Sequence, residues 1–250
     1  MGDLRAADAP APATPARRRL LLHSGGDITS ALDDLAAHFH GVSHAVFIPY
    51  ALQDHDWYAE RIAERMARVG VPITSVHSVL DPANAVVESD AVLVGGGNTF
   101  RLLRALHEYA LLDVIRTRVA AGVPYFGASA GSNVACPTIR TTNDMPIVET
   151  ESLQALDLVP FQINPHYVDP PAVRVGETRA ERLQEFLEEN DVTVLGLREP
   201  SWVVVNDDRM TLRGTGGAVV FGRGGGPENV EAGADLSHLL AGTPRFDEPA

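Results

Sequence analysis

The sequence predicts an α/β fold with a mostly parallel central sheet, helices on both of its faces and additional edge strands near the C-terminus. Three observations lead to this fold. Short apolar runs alternate with helical patterns along the chain, the runs are apolar on both faces, and the helical patterns are about ten to fifteen residues long. Strands of that kind, joined by helices, are typical of parallel βαβ units. At 250 residues, the chain has a size that single α/β domains commonly reach.

The N-terminal half supplies the strands of the parallel sheet and the helices between them. The predicted strands are RLLLHS (19–24), HAVFIPY (44–50), VPITSVHSV (71–79), DAVLVGGG (90–97) and VPYFGAS (123–129). The helical patterns are DITSALDDLAAHFH (27–40), DWYAERIAERMARVG (56–70) and NTFRLLRALHEYALLDVIRTRVAAG (98–122), the last being one or two helices. Ligands bind beyond the carboxyl ends of the strands in such sheets, which directs attention to the glycines after AVLV and to the turn after VPYF.

Beyond residue 190 the strands become shorter and are joined by turn residues. They are VTVLGL (192–197), the pair SWVVVNDDRMTLRG (201–214) and GAVVF (217–221). We expect them to be partly antiparallel and to lie on one edge of the same sheet. The predicted organisation is a single α/β domain over residues 19–240, preceded by an Ala/Pro-rich, disordered leader (1–18) and followed by a frayed tail (241–250).

Composition and charge exclude several classes of partner. The net charge of −13 argues against nucleic acid, because phosphate binding requires a dense Lys/Arg surface. The apolar patch Leu20 to Leu22 is too short for a signal peptide or a membrane span. The single cysteine, Cys136, excludes an intramolecular disulfide, and no Cys/His pattern indicates zinc. We therefore expect a cytoplasmic protein with no metal, no organic cofactor and no membrane partner.

The pentapeptide GASAG (127–131) is the first candidate for chemistry. It fits the G-x-S-x-G pattern and follows a predicted strand, which is the context that a nucleophile elbow at Ser129 requires. The alternative is a tight packing turn between a strand and a helix. The glycines of VLVGGGNTF could present N–H groups to an anionic oxygen, together with the N–H of Ala130. A dinucleotide loop is excluded there, because Phe100 stands where the motif needs glycine.

A serine nucleophile requires a base, and His166 is the candidate among nine histidines. It follows the rigid pair Asn164-Pro165 in a loop after the elbow, from which a side chain can reach over the sheet edge. His23, by contrast, falls in a strand and is interpreted as an ordinary packed histidine. Cys136 is interpreted as a small buried hydrophobe.

Several longer segments resemble one family. SHAVFIPYA, VGGGNTF, SAGSNVACPTIRTTNDMPIV, LDLVPFQINPHY, GETRAERLQEFL and VTVLGLREPSW closely resemble peptidase E, the α-aspartyl dipeptidase family of bacteria, in the same order from about residue 19 to 221. The resemblance implies a fold like that of the class I glutamine amidotransferases, with serine in place of cysteine. It also implies hydrolysis of Asp-X dipeptides after the N-terminal aspartate, through an aspartyl-enzyme intermediate and without a cofactor.

The resemblance further implies roles for individual residues. Ser129 is the nucleophile, His166 the base, and the amides of Gly97 and Ala130 form the oxyanion hole. The third catalytic residue is either Glu199, in REPSW, or Asp144, in TTNDMP. Glu199 is favoured because it follows VTVLGL at the carboxyl end of a strand, and Asp144 is kept as a site residue.

Recognition of a substrate aspartate needs a well-placed cation in an acidic chain. Arg179, in GETR, matches the arginine that holds the aspartyl side chain in this family, and a guanidinium can grip a carboxylate by two parallel hydrogen bonds. The alternative is a surface ion pair of Arg179 with Glu177 or Glu181. Arg140 is a second candidate cation. The predicted substrate-binding residues are Arg179, Asn98 and Thr99.

Other functions stay open at this stage. They are a cyanophycinase-like β-aspartyl peptidase, a small serine esterase and a non-catalytic binding module on the same scaffold. An esterase would suit the order Ser129, Asp144, His166, although two or more strands follow His166, which counts against it. Ala128 stands where enteric members of the resembled family carry tryptophan, so the shape of the pocket can differ. A homodimer is a further expectation.

Overall fold

The computed structural model describes residues 18–173 and 176–248. The predicted leader lies outside these ranges except for Arg18. The strands are β1 Arg19–His23, β2 Ala45–Ile48, β3 Ile73–Ser75, β4 Ala91–Val94, β5 Tyr125–Ala128, β6 Gln162–Pro165, β7 Val194–Leu197, β8 Ser201–Asn206, β9 Arg209–Gly214, β10 Ala218–Phe221 and β11 Glu228–Val230. The α-helices are α1 Leu32–His38, α2 His55–Ala67, α3 Pro82–Glu88, α4 Thr99–Glu108, α5 Leu111–Ala120, α6 Ala130–Val134 and α7 Arg179–Glu189. Short 3₁₀ helices span Ile28–Ala31, Val76–Ser78 and Ser237–Ala241. None of these helices is long and apolar enough to cross a membrane.

The central sheet has seven strands in the order β3-β2-β4-β5-β1-β8-β9. The first five run parallel, and β8 and β9 add an antiparallel hairpin at one edge. Helices cover both faces, so β2 and β4 are buried along their whole length. In β1, Leu20 and Leu22 join the core on one face, and Leu21 joins the core on the other. The predicted α/β fold with a mostly parallel central sheet is confirmed.

A second sheet corrects the interpretation of the C-terminal strands. VTVLGL and GAVVF were expected on an edge of the central sheet, but they form β7 and β10 of a separate four-stranded sheet in the order β11-β10-β7-β6. Leu195 and Leu197 of β7 pack into the central core, whereas Val194 packs with α7. Because both faces of β7 are buried, its apolar pattern cannot reveal which of the two sheets it joins.

The loops that follow the strands of both sheets converge on one place. The carboxyl ends of β4, β5 and β1 lie side by side, because these strands are parallel neighbours. Ser24, directly after β1, connects them to the second sheet. Its Oγ donates to the carbonyl of Leu197 at 2.7 Å and accepts from the N–H of His166 at 2.9 Å. The fold therefore brings the ends of β6 and β7 to the edge where β5 ends.

Residues 241–248 are the described part of the predicted frayed tail, and hydrogen bonds hold the end of this segment. Arg245 and Asp191 exchange two backbone hydrogen bonds of 2.9 and 2.8 Å. The N–H of Glu248 donates to the carbonyl of Glu189 at 2.9 Å. Residues 245–248 are thus bound to the end of α7 and the turn after it.

Candidate active site

Ser129 occupies a strained turn between β5 and α6. Its φ of 52° and ψ of −107° lie in a region that non-glycine residues seldom adopt. The flanking glycines make the turn sterically feasible. A Cβ on Gly127 would come within 2.5 Å of the carbonyl oxygen of Gly131, and one on Gly131 within 2.3 Å of the carbonyl oxygen of Val94. This geometry is that of a nucleophile elbow and differs from an ordinary packing turn.

His166 links Ser129 to Glu199. Its Nε2 lies 2.7 Å from the Oγ of Ser129, and its Nδ1 forms a hydrogen-bonded pair with Oε1 of Glu199. The histidine itself has a positive φ of 54°, and its backbone N–H is held by Ser24. The three side chains form a Ser-His-Glu chain of hydrogen bonds, in which the carboxylate contacts the imidazole nitrogen remote from the serine.

Two glycines after β1 make room for this chain, and the sequence analysis missed them. A Cβ on Gly25 would lie 2.1 Å from Cε1 of His166, and a Cβ on Gly26 would lie 2.3 Å from Oε2 of Glu199. Both glycines have positive φ values. The signal was present in the sequence, since HSGG places a glycine pair after a strand, as VLVGGG does.

Asp144 does not contact His166. Its Oδ2 accepts hydrogen bonds from the backbone N–H of Thr99 at 2.7 Å, from the Oγ1 of Thr99 at 2.6 Å and from the Oγ1 of Thr142 at 3.2 Å. The carboxylate therefore lies at the beginning of α4, where it satisfies a helix N–H and a hydroxyl. Of the two carboxylates left open as the third catalytic residue, the favoured Glu199 contacts the imidazole and Asp144 contacts Thr99.

Asn98 and Thr99 are engaged by the protein itself, in contrast to their predicted contact with substrate. Thr99 is fully buried, and its hydroxyl donates to Asp144. Asn98 caps α4: its side-chain oxygen accepts from the N–H of Arg101 at 3.0 Å, and its amide donates to the carbonyl of Met145 at 2.9 Å. Both side chains stabilise the start of α4.

The glycine turn after β4 lies beside the serine. A Cβ on Gly96 would be 3.1 Å from the Cβ of Ser129. The N–H groups of Gly95, Gly96 and Asn98 all donate within the protein. For the N–H of Gly97, by contrast, no acceptor is found among residues 18–173 and 176–248. This predicted oxyanion-hole amide is therefore available to donate a hydrogen bond.

Ala130 is the first residue of α6 and is fully buried. The first N–H groups of a helix have no partner within the helix. The amide of Ala130 directly follows Ser129, so it is positioned next to any anionic oxygen that forms on a group attached to the serine.

Arg179 is the first residue of α7, and its side chain reaches the residue before His166. Its guanidinium Nη1 lies 3.5 Å from the carbonyl oxygen of Pro165, the residue before His166. Burial lowers the pKa of Arg179, the charge of Arg182 lowers it further, and the charge of Glu199 opposes both. Within the part of the chain that the structure describes, Arg179 forms no ion pair.

The acidic neighbours of Arg179 have other partners. Glu177 pairs with the Nε of Arg182 at 2.7 Å. The carboxylate of Glu181 accepts from the backbone N–H of Thr178 at 2.8 Å and closes a capping box. The alternative of a surface ion pair between Arg179 and Glu177 or Glu181 is therefore not observed.

The family model described as peptidase family S51 matches residues 20–213, which include the elbow, His166, Arg179 and Glu199. The chain belongs to peptidase family S51. Its membership confirms the prediction of a serine-type peptidase.

Curated relatives extend the similarity over most of the chain. Peptidase E of Streptomyces coelicolor is 50% identical over 227 residues, covering 90% of this chain and 93% of that protein. A Drosophila melanogaster protein named "probable alpha-aspartyl dipeptidase" is 45% identical over 224 residues, covering 88% and 93%. A crystal structure of a peptidase from an acI-B1 Actinobacterium superposes with a TM-score of 0.66 at 16% identity, covering 89% and 98%, and supports the fold.

In this member of family S51, Arg140 is not a free cation. Its guanidinium makes two hydrogen bonds to the carboxylate of Asp247, at 2.6 and 2.9 Å, and lies over the ring of Phe246. The charge of this second candidate cation is therefore already paired with a carboxylate.

His23 is a packed strand histidine, as predicted, but it also borders the Ser-His-Glu chain. Its ring stacks on Trp202, its Nδ1 accepts from the N–H of Gly25 at 3.1 Å, and its carbonyl accepts from the N–H of Ser129 at 3.0 Å. Burial lowers the pKa of His23 to about 4. A neutral imidazole thus fixes the glycine that packs against His166.

Cys136 is fully buried, as predicted for a small hydrophobe. Its Sγ accepts from the backbone N–H of Ile163 at 3.1 Å. Burial raises the pKa of its thiol well above the ordinary value, so the thiolate needed for nucleophilic attack is disfavoured. Among the described residues, no cluster of three or more His, Cys, Asp or Glu side chains could hold a metal ion.

A narrow cavity of about 80 Å³ opens beside Ser129. Its lining includes the glycines that follow β1 and β4, together with Tyr58. Ala128 contributes only a methyl group to the wall, which leaves space that a larger residue would fill.

Proposed function

We propose that this chain is a serine dipeptidase that hydrolyses Asp-X dipeptides after the N-terminal aspartate. The observation that carries the proposal is the hydrogen-bonded chain from Ser129 through His166 to Glu199, with the unpaired guanidinium of Arg179 nearby. The names of the curated relatives support the same substrate class.

The chemistry proceeds by acyl transfer. The Nε2 of His166 accepts the proton of Ser129 as its Oγ attacks the carbonyl carbon of the aspartyl residue. The negative oxygen of the tetrahedral intermediate accepts hydrogen bonds from the amides of Gly97 and Ala130. His166 then gives its proton to the leaving amine, and the C–N bond breaks. Water, deprotonated by His166, hydrolyses the aspartyl ester and regenerates the serine.

Glu199 is the orienting residue in this mechanism. Its carboxylate contacts Nδ1 of His166, which fixes the tautomer that presents Nε2 to the serine. The negative charge also stabilises the imidazolium that forms during attack. Asp144 supports the site indirectly, because it holds the start of α4 immediately after the glycine turn.

Arg179 is the residue that recognises the aspartyl side chain. Its guanidinium is half-buried, and no carboxylate of the described chain neutralises it. A substrate carboxylate would supply the missing counter-charge through two parallel hydrogen bonds. A neutral asparagine side chain cannot do so, which gives the enzyme its preference for aspartate.

The other candidate functions are weaker on this geometry. An esterase with the order Ser129, Asp144, His166 needs Asp144 behind the imidazole, and Asp144 bonds Thr99 instead. A cyanophycinase-like activity is separated by assaying Asp-Leu against the β-aspartyl-arginine polymer. A non-catalytic module would not label with a reactive fluorophosphonate at Ser129.

The cellular setting and assembly belong to the same proposal. A single buried cysteine suits a reducing compartment, so we place the enzyme in the cytoplasm. A homodimer and a single domain over residues 19–240 stay predictions.

Replacing Ser129 with alanine tests the function directly. The variant is expected to fold normally and to lose hydrolysis of Asp-Leu, because the attacking oxygen is gone. An S129A protein that retains the wild-type rate would exclude this mechanism.

A further inference from the structure

We propose that Tyr58 is a positioning residue of the oxyanion hole: its hydroxyl holds the glycine turn 95–97 so that the amide of Gly97 is presented beside Ser129. The inference rests on the proposed function, since it assumes an anionic intermediate on the serine. Tyr58 lies in α2, on an element that contributes none of the catalytic side chains.

The turn itself is poorly restrained by its sequence. Three consecutive glycines have more accessible backbone conformations than any other residues. An oxyanion hole lowers the barrier only when its donors are oriented before the charge develops. The turn from Gly95 to Gly97 therefore needs fixed contacts on either side of the amide that acts.

The structure shows three such contacts. The N–H of Gly95 donates to the last residue of β2 at 3.2 Å, and the N–H of Asn98 donates to the carbonyl of Ala51 at 2.9 Å. Between them, the N–H of Gly96 donates to the hydroxyl of Tyr58 at 2.7 Å. The peptide that bears the Gly97 N–H is flanked by these fixed groups, and Tyr58 supplies the side-chain contact.

Tyr58 is well held for this task. Its ring packs edge-on against Phe47, with 5.0 Å between the ring centroids. Burial raises the pKa of its hydroxyl, so the group stays neutral. A Cβ on Gly95 would lie 2.5 Å from that hydroxyl, so the absence of a side chain there lets the tyrosine reach the turn. Gly96, which receives the contact, lies next to the Cβ of Ser129.

The first experiment compares Tyr58→Phe with the matched control Tyr109→Phe. Tyr109 is half-exposed, stacks on Tyr50, and its hydroxyl makes no hydrogen bond within the described residues. We expect Y58F to lower kcat for Asp-Leu by about tenfold or more, with KM changed less than about twofold, because removing one oxyanion donor outright costs about a hundredfold or more. The inhibition constant of free aspartate is expected to stay unchanged, because aspartate binds without forming the tetrahedral intermediate.

A second readout does not depend on the substrate. The reaction of a fluorophosphonate with Ser129 also places negative charge on an oxygen that the same amides stabilise. We therefore expect Y58F to react more slowly than the wild type and Y109F to react at the wild-type rate. If wild-type protein fails to cleave Asp-Leu but Y58F still slows this modification, the proposed substrate is wrong and the role of Tyr58 stands.

Two results would overturn the inference. One is a Y58F variant that equals Y109F in both kcat and the rate of modification. The other is a loss of activity that only matches the fraction of unfolded protein, measured by thermal melting and titration of reactive serine. Gly95→Ala provides an independent variant that keeps the tyrosine side chain. Its methyl group would displace the Tyr58 hydroxyl, so it is expected to reproduce the fall in kcat.

Discussion

Asp144 accepts two hydrogen bonds from Thr99, one from its N–H at 2.7 Å and one from its hydroxyl at 2.6 Å. The carboxylate thereby holds the first residue of α4, two positions after Gly97. The loop that contains Asp144 also reaches the histidine side, since the amide of Asn143 donates to the carbonyl of Pro165 at 2.8 Å. One short loop thus braces both the glycine turn and the residue before His166.

This relationship predicts different consequences for the two acidic residues. Glu199→Gln is expected to lower kcat for Asp-Leu by about 10²- to 10⁴-fold with little change in stability, because the imidazolium loses its counter-charge. Asp144→Ala is expected to lower the free energy of unfolding by about 1–2 kcal/mol, because the N–H and hydroxyl of Thr99 lose their acceptor. Steady-state kinetics and urea unfolding of both variants provide the measurements.

Asp144→Asn is the matched control, since it keeps an oxygen acceptor for Thr99. Its stability is expected to lie between those of wild type and D144A. If D144N lost as much kcat as E199Q while remaining fully stable, Asp144 would act in catalysis itself and the assignment of Glu199 as orienter would have to be revised.

Arg179 is predicted to determine the preference for aspartate. Arg179→Gln is expected to lower kcat/KM for Asp-Leu by about a hundredfold, because the substrate carboxylate loses a charged hydrogen-bond partner. The kcat/KM for Asn-Leu, which is already low, is expected to change little. The ratio of kcat/KM for Asp-Leu to kcat/KM for Asn-Leu therefore decreases. The kcat/KM values for both substrates are measured at the same salt concentration, since charge pairs are screened by salt.

Arg182→Gln is the control for that prediction. Arg182 lies on the same helix, carries the same charge and is paired with Glu177 at the surface. Its loss is expected to change kcat/KM by less than about twofold. Equal effects of R179Q and R182Q would indicate a general effect of charge in place of a specific contact.

Arg140 is predicted to act on stability and not on substrate binding. Arg140→Gln removes the two hydrogen bonds to Asp247 and the contact with Phe246, so the melting temperature is expected to fall by up to a few degrees. The KM for Asp-Leu is expected to stay within about twofold of wild type. A large increase in KM, with unchanged melting temperature, would restore Arg140 as a substrate cation.

The sequence was sufficient for the parts of the fold and site that local pattern determines. Alternation of apolar runs and helices predicts the parallel sheet, and the elbow motif together with the family resemblance predicts that Ser129, His166 and Glu199 come together, as observed. The separate second sheet could not be predicted, because β7 is buried on both faces and its pattern is the same for either sheet. Helix α3 was also missed, although Asp81 before Pro82 is a typical start signal.

The remaining errors concern partners that are distant in sequence. Arg140 and Asp247 are separated by 107 positions, so no local pattern shows that the charge of Arg140 is already neutralised. Likewise, Thr99 and Asp144 are 45 positions apart, and only the tertiary structure shows that their polar groups satisfy each other. Tyr58 was missed for the same reason, since its contact with Gly96 spans 38 positions.

Two buried histidines predict how stability depends on pH. Burial lowers the pKa of His23 and of His38 to about 4, from an ordinary value of 6.5. Between these two values the unfolded chain binds a proton at each histidine and the folded chain does not. The free energy of unfolding is therefore expected to fall as the pH decreases from 6.5 towards 4, by about 1.4 kcal/mol per pH unit for each histidine.

Urea unfolding at a series of pH values from 7.5 to about 5.5 checks this dependence, in a range more than about one unit above the ordinary pKa values of Asp and Glu, so that carboxylates contribute little. His38→Gln removes one of the two groups while an amide can still donate to the carbonyl of Tyr125, which Nε2 of His38 contacts at 3.1 Å. The slope is expected to be smaller in H38Q than in the wild type, because one group that binds its proton only in the unfolded chain is gone. A slope that is flat in the wild type, or equal in H38Q and wild type, would contradict the assignment, because it would mean that the folded protein accepts protons on these imidazoles as readily as the unfolded chain does.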